Sequence, residues 1–255
     1  LVSVMYANNE IGTIQPIREI AKEIRHHNKM NLKKASLNDP SVGRAFFHID
    51  ATQAVNYLSI NVAELGVDML SMNGAKIYGP KGIGALYVKK GTPISKIMFG
   101  GDQEFGLRPG TENAAGVEAL AEALKVVEKI KAKEVKRLTK LQAYFLSQLI
   151  KKNNFVINGD LKNRLPNNIN ITIPNIPSDL LVIELSERGI MVAGKSACKA
   201  GDGKASHVIE SINKNIKDTD GSLRLTLGRE TKKKDIDRTV QALSQILTKL
   251  KTWYN

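Results

Sequence analysis

The 255-residue sequence has a single cysteine, Cys198, so no disulfide within the chain adds to its stability. That usage fits a reducing compartment, and a cytoplasmic location is the expectation. No stretch of about 18 apolar residues occurs, which argues against a transmembrane helix, and the start carries no signal-peptide pattern. Aromatic residues make up only 5%, leaving little surface on which nucleobases could stack. Acidic residues are also few: 25 against 38 Lys and Arg give a net charge of +13. Such an excess is the electrostatic footprint of a nucleic-acid binder. Here, however, the cations are spread widely, and the densest stretch, Lys125 to Lys140, falls on solvated positions of an amphipathic helix. This favours a solvated basic surface, one suited to an acidic protein partner, over nucleic acid as a direct ligand. The four histidines (His26, His27, His48, His207) have no ligand-like spacing beyond one adjacent pair, so no metal site is expected. With 42% hydrophobic and 25% charged residues, the chain has the composition of an ordinary globular protein. Disordered, collagen-like and disulfide-stapled classes are excluded.

What is present alternates. Val2–Tyr6, 45–49, 69–72 and 84–88 are apolar runs of strand length, and Pro16–Arg25 has helical periodicity with proline in its first turn. Strands alternating with helices predict an α/β sheet with parallel strands. The polar stretch between Arg25 and Ala45 reads as a surface loop. From Gly116, apolar residues recur at three- and four-residue steps through Leu149, predicting a helix of more than 30 residues or two in sequence. Beyond it an α+β pattern follows: strands at 155–157 and 168–173, a helix over 178–188, a strand at 223–227 and a final amphipathic helix. That last helix opens on Lys232-Lys233-Lys234, three cations at the positive end of the helix dipole, which is unfavourable locally. The chain begins at Leu1, directly inside an apolar run, so a further upstream segment is expected in the natural protein.

Three segments could carry chemistry. Lys76 lies just beyond the apolar run at 69–72 and precedes three glycines (Gly79, Gly82, Gly84) and a proline within eight residues. A desolvated lysine in such a place could condense with an aldehyde; a turn bearing a solvated lysine is the plainer alternative. The spacing from Gly74 to Lys81 does not match a P-loop. Asp50 ends the strand His48-Ile49-Asp50, and ligands in open α/β sheets gather at such carboxyl ends. An Asp or Thr capping the next helix is the competing reading. Cys198 lies among glycines and small residues with Lys195 and Lys199 nearby, where cations favour the reactive thiolate.

Six segments in order (NNEIGTIQPI from Asn8, HIDATQ, GAKIYGPKGIGALYV, GGDQEFGLRPGTEN, SACKAG with SHVI, and LRLTLGRE) resemble the cysteine desulfurases, pyridoxal-phosphate enzymes of the class V aminotransferase group. The likeness runs from residue 1 to about residue 250. It implies the aspartate-aminotransferase-type fold, α/β, with residues 1–128 as the remainder of a large cofactor-binding domain. Residues 129–255 would form a smaller C-terminal α+β domain carrying the cysteine. By the same resemblance, Lys76 would hold pyridoxal 5'-phosphate covalently, Asp50 would pair with its ring nitrogen, and Gln53 would bond its phenolic oxygen. Asn9 and Arg224 would hold the carboxylate of L-cysteine, Arg224 through a bidentate pair. Thr111 would reach the cofactor phosphate of the neighbouring subunit in a homodimer. Cys198 would take the sulfur as a persulfide and pass it to an acceptor protein, an iron–sulfur scaffold or a thiolation protein.

The sequence departs from the family pattern at two places. Asn73 and Ala75 stand where the family usually has Ser and His: Asn73 can still donate to phosphate, whereas Ala75 cannot. The glycine/threonine phosphate loop and the ring-stacking histidine of the family's N-terminal portion do not occur in these residues. A selenocysteine lyase or other class V enzyme, and a degenerate desulfurase-like binding protein, are the alternative expectations.

Overall fold

A computed structural model describes residues 1–32, 43–152, 155–194, 206–217 and 220–254. The chain divides into two compact units, one of residues 1–7 and 15–131, the other of residues 8–14 and 132–255.

The first unit is built on four strands: β1 (Val2–Met5), β2 (Phe47–Asp50), β3 (Met69–Asn73) and β4 (Gly84–Val88), in that spatial order. β1, β2 and β3 are parallel, so their carboxyl ends share one edge, with Met5, Asp50 and Ser71 in register. Helix α1 (Ile17–Leu32) makes the β1-to-β2 crossover. The short α2 (Val62–Leu65), capped by the Asn61 side chain on the amides of Ala63 and Glu64, lies between β2 and β3. Strand alternation puts Phe47, Ile49 and Leu70 on one face, buried with Ile17 and Ala21 of α1 and with Leu120 and Val127 of α3 (Ala114–Lys152). The other face is mixed, with Met5, Met69, Leu86 and Val88 beside Ser3, His48, Asp50 and Ser71. There His48 sits between two serines, 2.8 Å from Ser3 Oγ and 3.1 Å from Ser71 Oγ.

Two expectations need correction. β4 runs antiparallel to β3, so the sheet is mostly parallel with one antiparallel edge strand. Only residues 74–83 join the two strands, fewer than the dozen or so a parallel crossover needs. The reversal also brings β4 close to β3: a Cβ on Gly84 would lie 2.5 Å from the Met72 carbonyl oxygen. The polar stretch after Arg25 is helical as far as Leu32 rather than loop. Its side chains are satisfied sideways, Asn28 exchanging two bonds with the backbone of Ala45 (2.7 and 2.8 Å). A solvated helical turn of this kind needs no apolar stripe.

α3 is continuous for 39 residues, and residues 132–152 belong to the second unit. That unit holds a three-stranded antiparallel sheet, β5 (Val156–Ile157), β6 (Asn168–Ile173) and β7 (Gly221–Thr226). Helices α4 (Ser178–Glu187), α5 (His207–Ile212) and α6 (Lys233–Tyr254) complete it. β6 is buried on both faces. Alternation gives it one apolar side, Ile169, Ile171 and Ile173, and one polar side, Asn168, Asn170 and Thr172. The polar side is fully occupied at its centre. Asn158 Nδ2 donates to Asn170 Oδ1 and Thr172 Oγ1, both at 2.8 Å, while the Nδ2 groups of Asn168 and Asn170 donate to the Glu10 carbonyl at 3.0 and 3.1 Å. These last bonds pin residues 8–14 onto the second unit. Gly12, at φ +72°, permits the approach, since a Cβ there would fall 2.7 Å from Asn168 Cβ.

The lysine run at the start of α6 is partly compensated. Lys233 Nζ lies 4.7 Å from the Tyr144 ring centroid, and Asp235 in the first turn accepts from the Lys232 amide at 2.8 Å. Glu184 of α4 accepts from Lys249 Nζ of α6 at 2.7 Å and Arg188 Nη1 at 2.8 Å. The bond from Lys249, then that from Arg188, holds its carboxyl below the ordinary value of 4.5. A folded-state value below the unfolded one gives stability that is present at neutral pH and lost as pH falls through the depressed value. Glu184→Gln should therefore cost up to about 1 kcal/mol at pH 7. In urea denaturation the gap from wild type should close progressively below about pH 4. A gap independent of pH would refute the assignment.

Candidate active site

On the first unit, the sheet register gathers the predicted residues at the carboxyl edge of the parallel strands. Asp50 is the last residue of β2, and its backbone carbonyl accepts from the Tyr6 amide at 2.8 Å. Its carboxylate is half-buried. Oδ1 accepts from the Thr52 amide at 2.8 Å; Oδ2 has no hydrogen-bond partner among the described residues. The side chain thus makes the local capping turn and still presents a free acceptor. Ala51 and the buried Ala54 and Val55 anchor the following turn in the core, leaving Thr52 and Gln53 half-buried above it.

β3 ends at Asn73, and a single turn of 3₁₀-helix, Gly74–Lys76, follows. Asn73 Oδ1 accepts from the Ala75 amide at 2.8 Å, and its Nδ2 has no hydrogen-bond partner among the described residues. Gly74 is buried and its amide donates to the Ile83 carbonyl. Lys76 is solvent-exposed. Its backbone is fixed, because Asn56 Nδ2 donates to the Lys76 carbonyl at 2.6 Å. Asn56 follows the Asp50–Gln53 turn and ties that turn to the lysine. Nothing in the sequence reading singled it out, since an asparagine in a turn is common.

Thr111 lies in the irregular stretch between β4 and α3 and is exposed. The same stretch exposes Ile97 (89%), Phe99 (80%) and Phe105 (99%). Phe105 also has φ +60°, a conformation that is uncommon for a bulky residue.

On the second unit, Arg224 of β7 is half-buried, and its Nη1 donates to the Asn9 carbonyl at 3.2 Å. The two residues predicted to share a substrate carboxylate are therefore neighbours. One of the five guanidinium protons is used by this bond, and among the described residues no other partner takes the rest. The backbone of Arg224 pairs with Ala193. Cys198 lies outside the described residues. Among those described, no three His, Cys, Asp or Glu gather as a metal site, and no helix is long and apolar enough to cross a membrane.

Comparison with known proteins bears on the family of the chain. The sequence is 40% identical over 253 residues to cysteine desulfurase IscS of Dictyoglomus turgidum, covering 99% of this chain and 60% of that protein. It is 36% identical to cysteine desulfurase IscS 1 of Archaeoglobus fulgidus, covering 99% and 62%. The chain thus spans about 60% of the length of these curated relatives. Among solved structures, a NifS-like protein superposes with a TM-score of 0.82 at 30% identity, over 97% of this chain and 60% of that one. The NifS-like protein from Rickettsia africae gives 0.81 at 29% identity, over 97% and 61%. The family model described as aminotransferase class-V matches residues 1–239, nearly the whole of the sequence, and the chain belongs to that family.

Proposed function

We propose that the natural protein is a cysteine desulfurase that uses pyridoxal phosphate. The observation that carries the reading is the carboxyl edge of the parallel strands, where the Asp50 carboxylate, the Asn73 amide and the exposed Lys76 lie on adjoining strands and turns. The likeness to curated desulfurases over 99% of the chain supports it.

These donors and acceptors fit the cofactor. Lys76 would hold its aldehyde carbon, Asp50 would accept from a protonated ring nitrogen through Oδ2, and Gln53 would donate to the phenolic oxygen. Asn73, and Thr111 from the neighbouring subunit of a homodimer, would donate to the phosphate. Ala75 offers no side-chain donor, and its amide is already given to Asn73. Pyridoxal phosphate, when bound, supplies an electron sink for the carbon skeleton of the substrate.

The chain's own groups supply the rest. Arg224 and Asn9 bind and orient the carboxylate of L-cysteine, which fixes the sulfur end of the substrate relative to it. The Cys198 thiolate attacks that sulfur. The carbon–sulfur bond breaks, the sulfur stays on Cys198 as a persulfide, and a proton replaces it on carbon to give L-alanine. One cysteine and one enzyme thiol become one alanine and one persulfide, so the step balances. An acceptor protein then takes the outer sulfur. Homodimerisation is supported by the exposed Ile97, Phe99 and Phe105, a concentration of apolar side chains that suits a buried interface.

The test uses the purified natural gene product supplied with pyridoxal phosphate, L-cysteine and dithiothreitol. Alanine and sulfide should appear in equal amounts. A protein that takes up the cofactor yet releases neither product would refute the desulfurase reading.

A further inference from the structure

Glu10 is a buried carboxylate to which the proposed reaction gives no part. It is 3% exposed, and its Oε2 accepts from Ser206 Oγ at 2.5 Å, Ser206 itself being 6% exposed. Ser206 is the N-cap of α5, its Oγ accepting from the Val208 amide at 3.2 Å. The hydroxyl therefore donates one way and accepts the other, and removal of either partner leaves a buried polar group unmatched.

Glu10 is itself held rigidly. Its amide donates to Asn8 Oδ1 at 2.8 Å, and its carbonyl takes the two asparagine bonds from β6. It directly follows Asn9, whose carbonyl receives the Arg224 guanidinium. On the other side, Arg224 and Ala193 exchange backbone bonds at 2.7 and 3.3 Å, and Ser222 Oγ donates to the Gly194 carbonyl at 3.0 Å. Gly194 and Ser206 are the residues that flank positions 195–205, the stretch of sequence containing Cys198.

We infer that Glu10 is a positioning residue. With Ser206 it anchors one flank of the cysteine-bearing segment to the backbone that carries Asn9, as Ala193 and Gly194 anchor the other flank to the strand that carries Arg224. Both ends of the segment are thus referenced to the two residues proposed to grip the substrate carboxylate. The inference rests on the proposed desulfurase reading for its functional consequence. The anchoring itself involves only residues 8–14, 193–194, 206–208 and 222–224.

Because Cys198 is the sole cysteine in the sequence, its rate of modification by a disulfide reagent reports the anchoring without any turnover. In the natural gene product, read by mass spectrometry at the Cys198 peptide, Glu10→Ala and Ser206→Ala should each change that rate by about threefold or more. The double variant should match the singles, since both remove one shared contact. Glu10→Gln keeps an acceptor oxygen for Ser206 and should stay within about twofold of wild type. In turnover with L-cysteine, Glu10→Ala should lower kcat about tenfold with KM changed less than threefold and cofactor absorbance retained, again rescued by Gln.

Equal modification rates in wild type and both alanine variants, or a Gln variant as altered as Ala, would overturn the inference. Should Glu10→Ala unfold by circular dichroism, Ser206→Ala and Glu10→Gln carry the test. A wild-type protein that releases no alanine fails the proposed function alone, because the modification rates still decide the anchoring.

Discussion

Lys76→Ala is expected to lower alanine release from L-cysteine by a factor on the order of a thousand, about 4 kcal/mol of transition-state stabilisation. The same protein should no longer retain pyridoxal phosphate covalently through denaturation. The side chain is exposed, and the hydrogen bond from Asn56 is made to the residue's backbone. Truncation therefore removes no packing, and folding stability should stay within about 0.5 kcal/mol of wild type. This separation gives the experiment its force: an unchanged melting curve with lost covalent retention assigns the amine a chemical role. A variant that keeps both the covalent cofactor and the activity would remove Lys76 from the mechanism, and Lys81, next along the same glycine-rich turn, would be the residue to change.

Cys198→Ser carries the second large effect. A hydroxyl at neutral pH is a far weaker nucleophile than a thiol, so sulfide and alanine release should fall by roughly a thousandfold or more. Cofactor uptake, followed by absorbance, should be unchanged. No second cysteine in these 255 residues could take over the role. Substantial sulfide release from the serine variant would mean that sulfur leaves the substrate without a persulfide at this position, which favours a lyase-type reading.

Much of this arrangement could be read from residue order because it depends on short-range rules. Alternation within Phe47–Asp50 places Ile49 inward and Asp50 at the strand's end, so a carboxylate at the carboxyl edge followed from four residues. The apolar steps from Val117 to Leu149 likewise pointed to one long helix or two in sequence, and α3 is a single helix. Other features depend on distant partners and leave no periodic trace. Asn28 meets Ala45 across the α1-to-β2 connection, and Asn56 meets Lys76; in each case one polar residue looks like any other until the chain closes around it. The attachment of residues 8–14 to β6 is of the same kind, resting on amides more than 150 residues away. The reversal of β4 is different. The brevity of the 74–83 connection already excluded a parallel crossover, so the signal was present in the sequence. The exposure of Lys76 follows from its place on a turn beyond the end of β3, a place that burial of β3 alone does not reveal.

The amide ladder on β6 has a consequence for how the second unit is made. A strand with isoleucine at every other position can slide by two residues and meet almost the same greasy wall. The asparagines forbid the slide, since a displaced strand would strand the Asn158 amide and the Glu10 carbonyl without donors or acceptors. The buried amides thus tie one register of β6 to the rest of the unit, at a cost that any slipped alignment would have to meet.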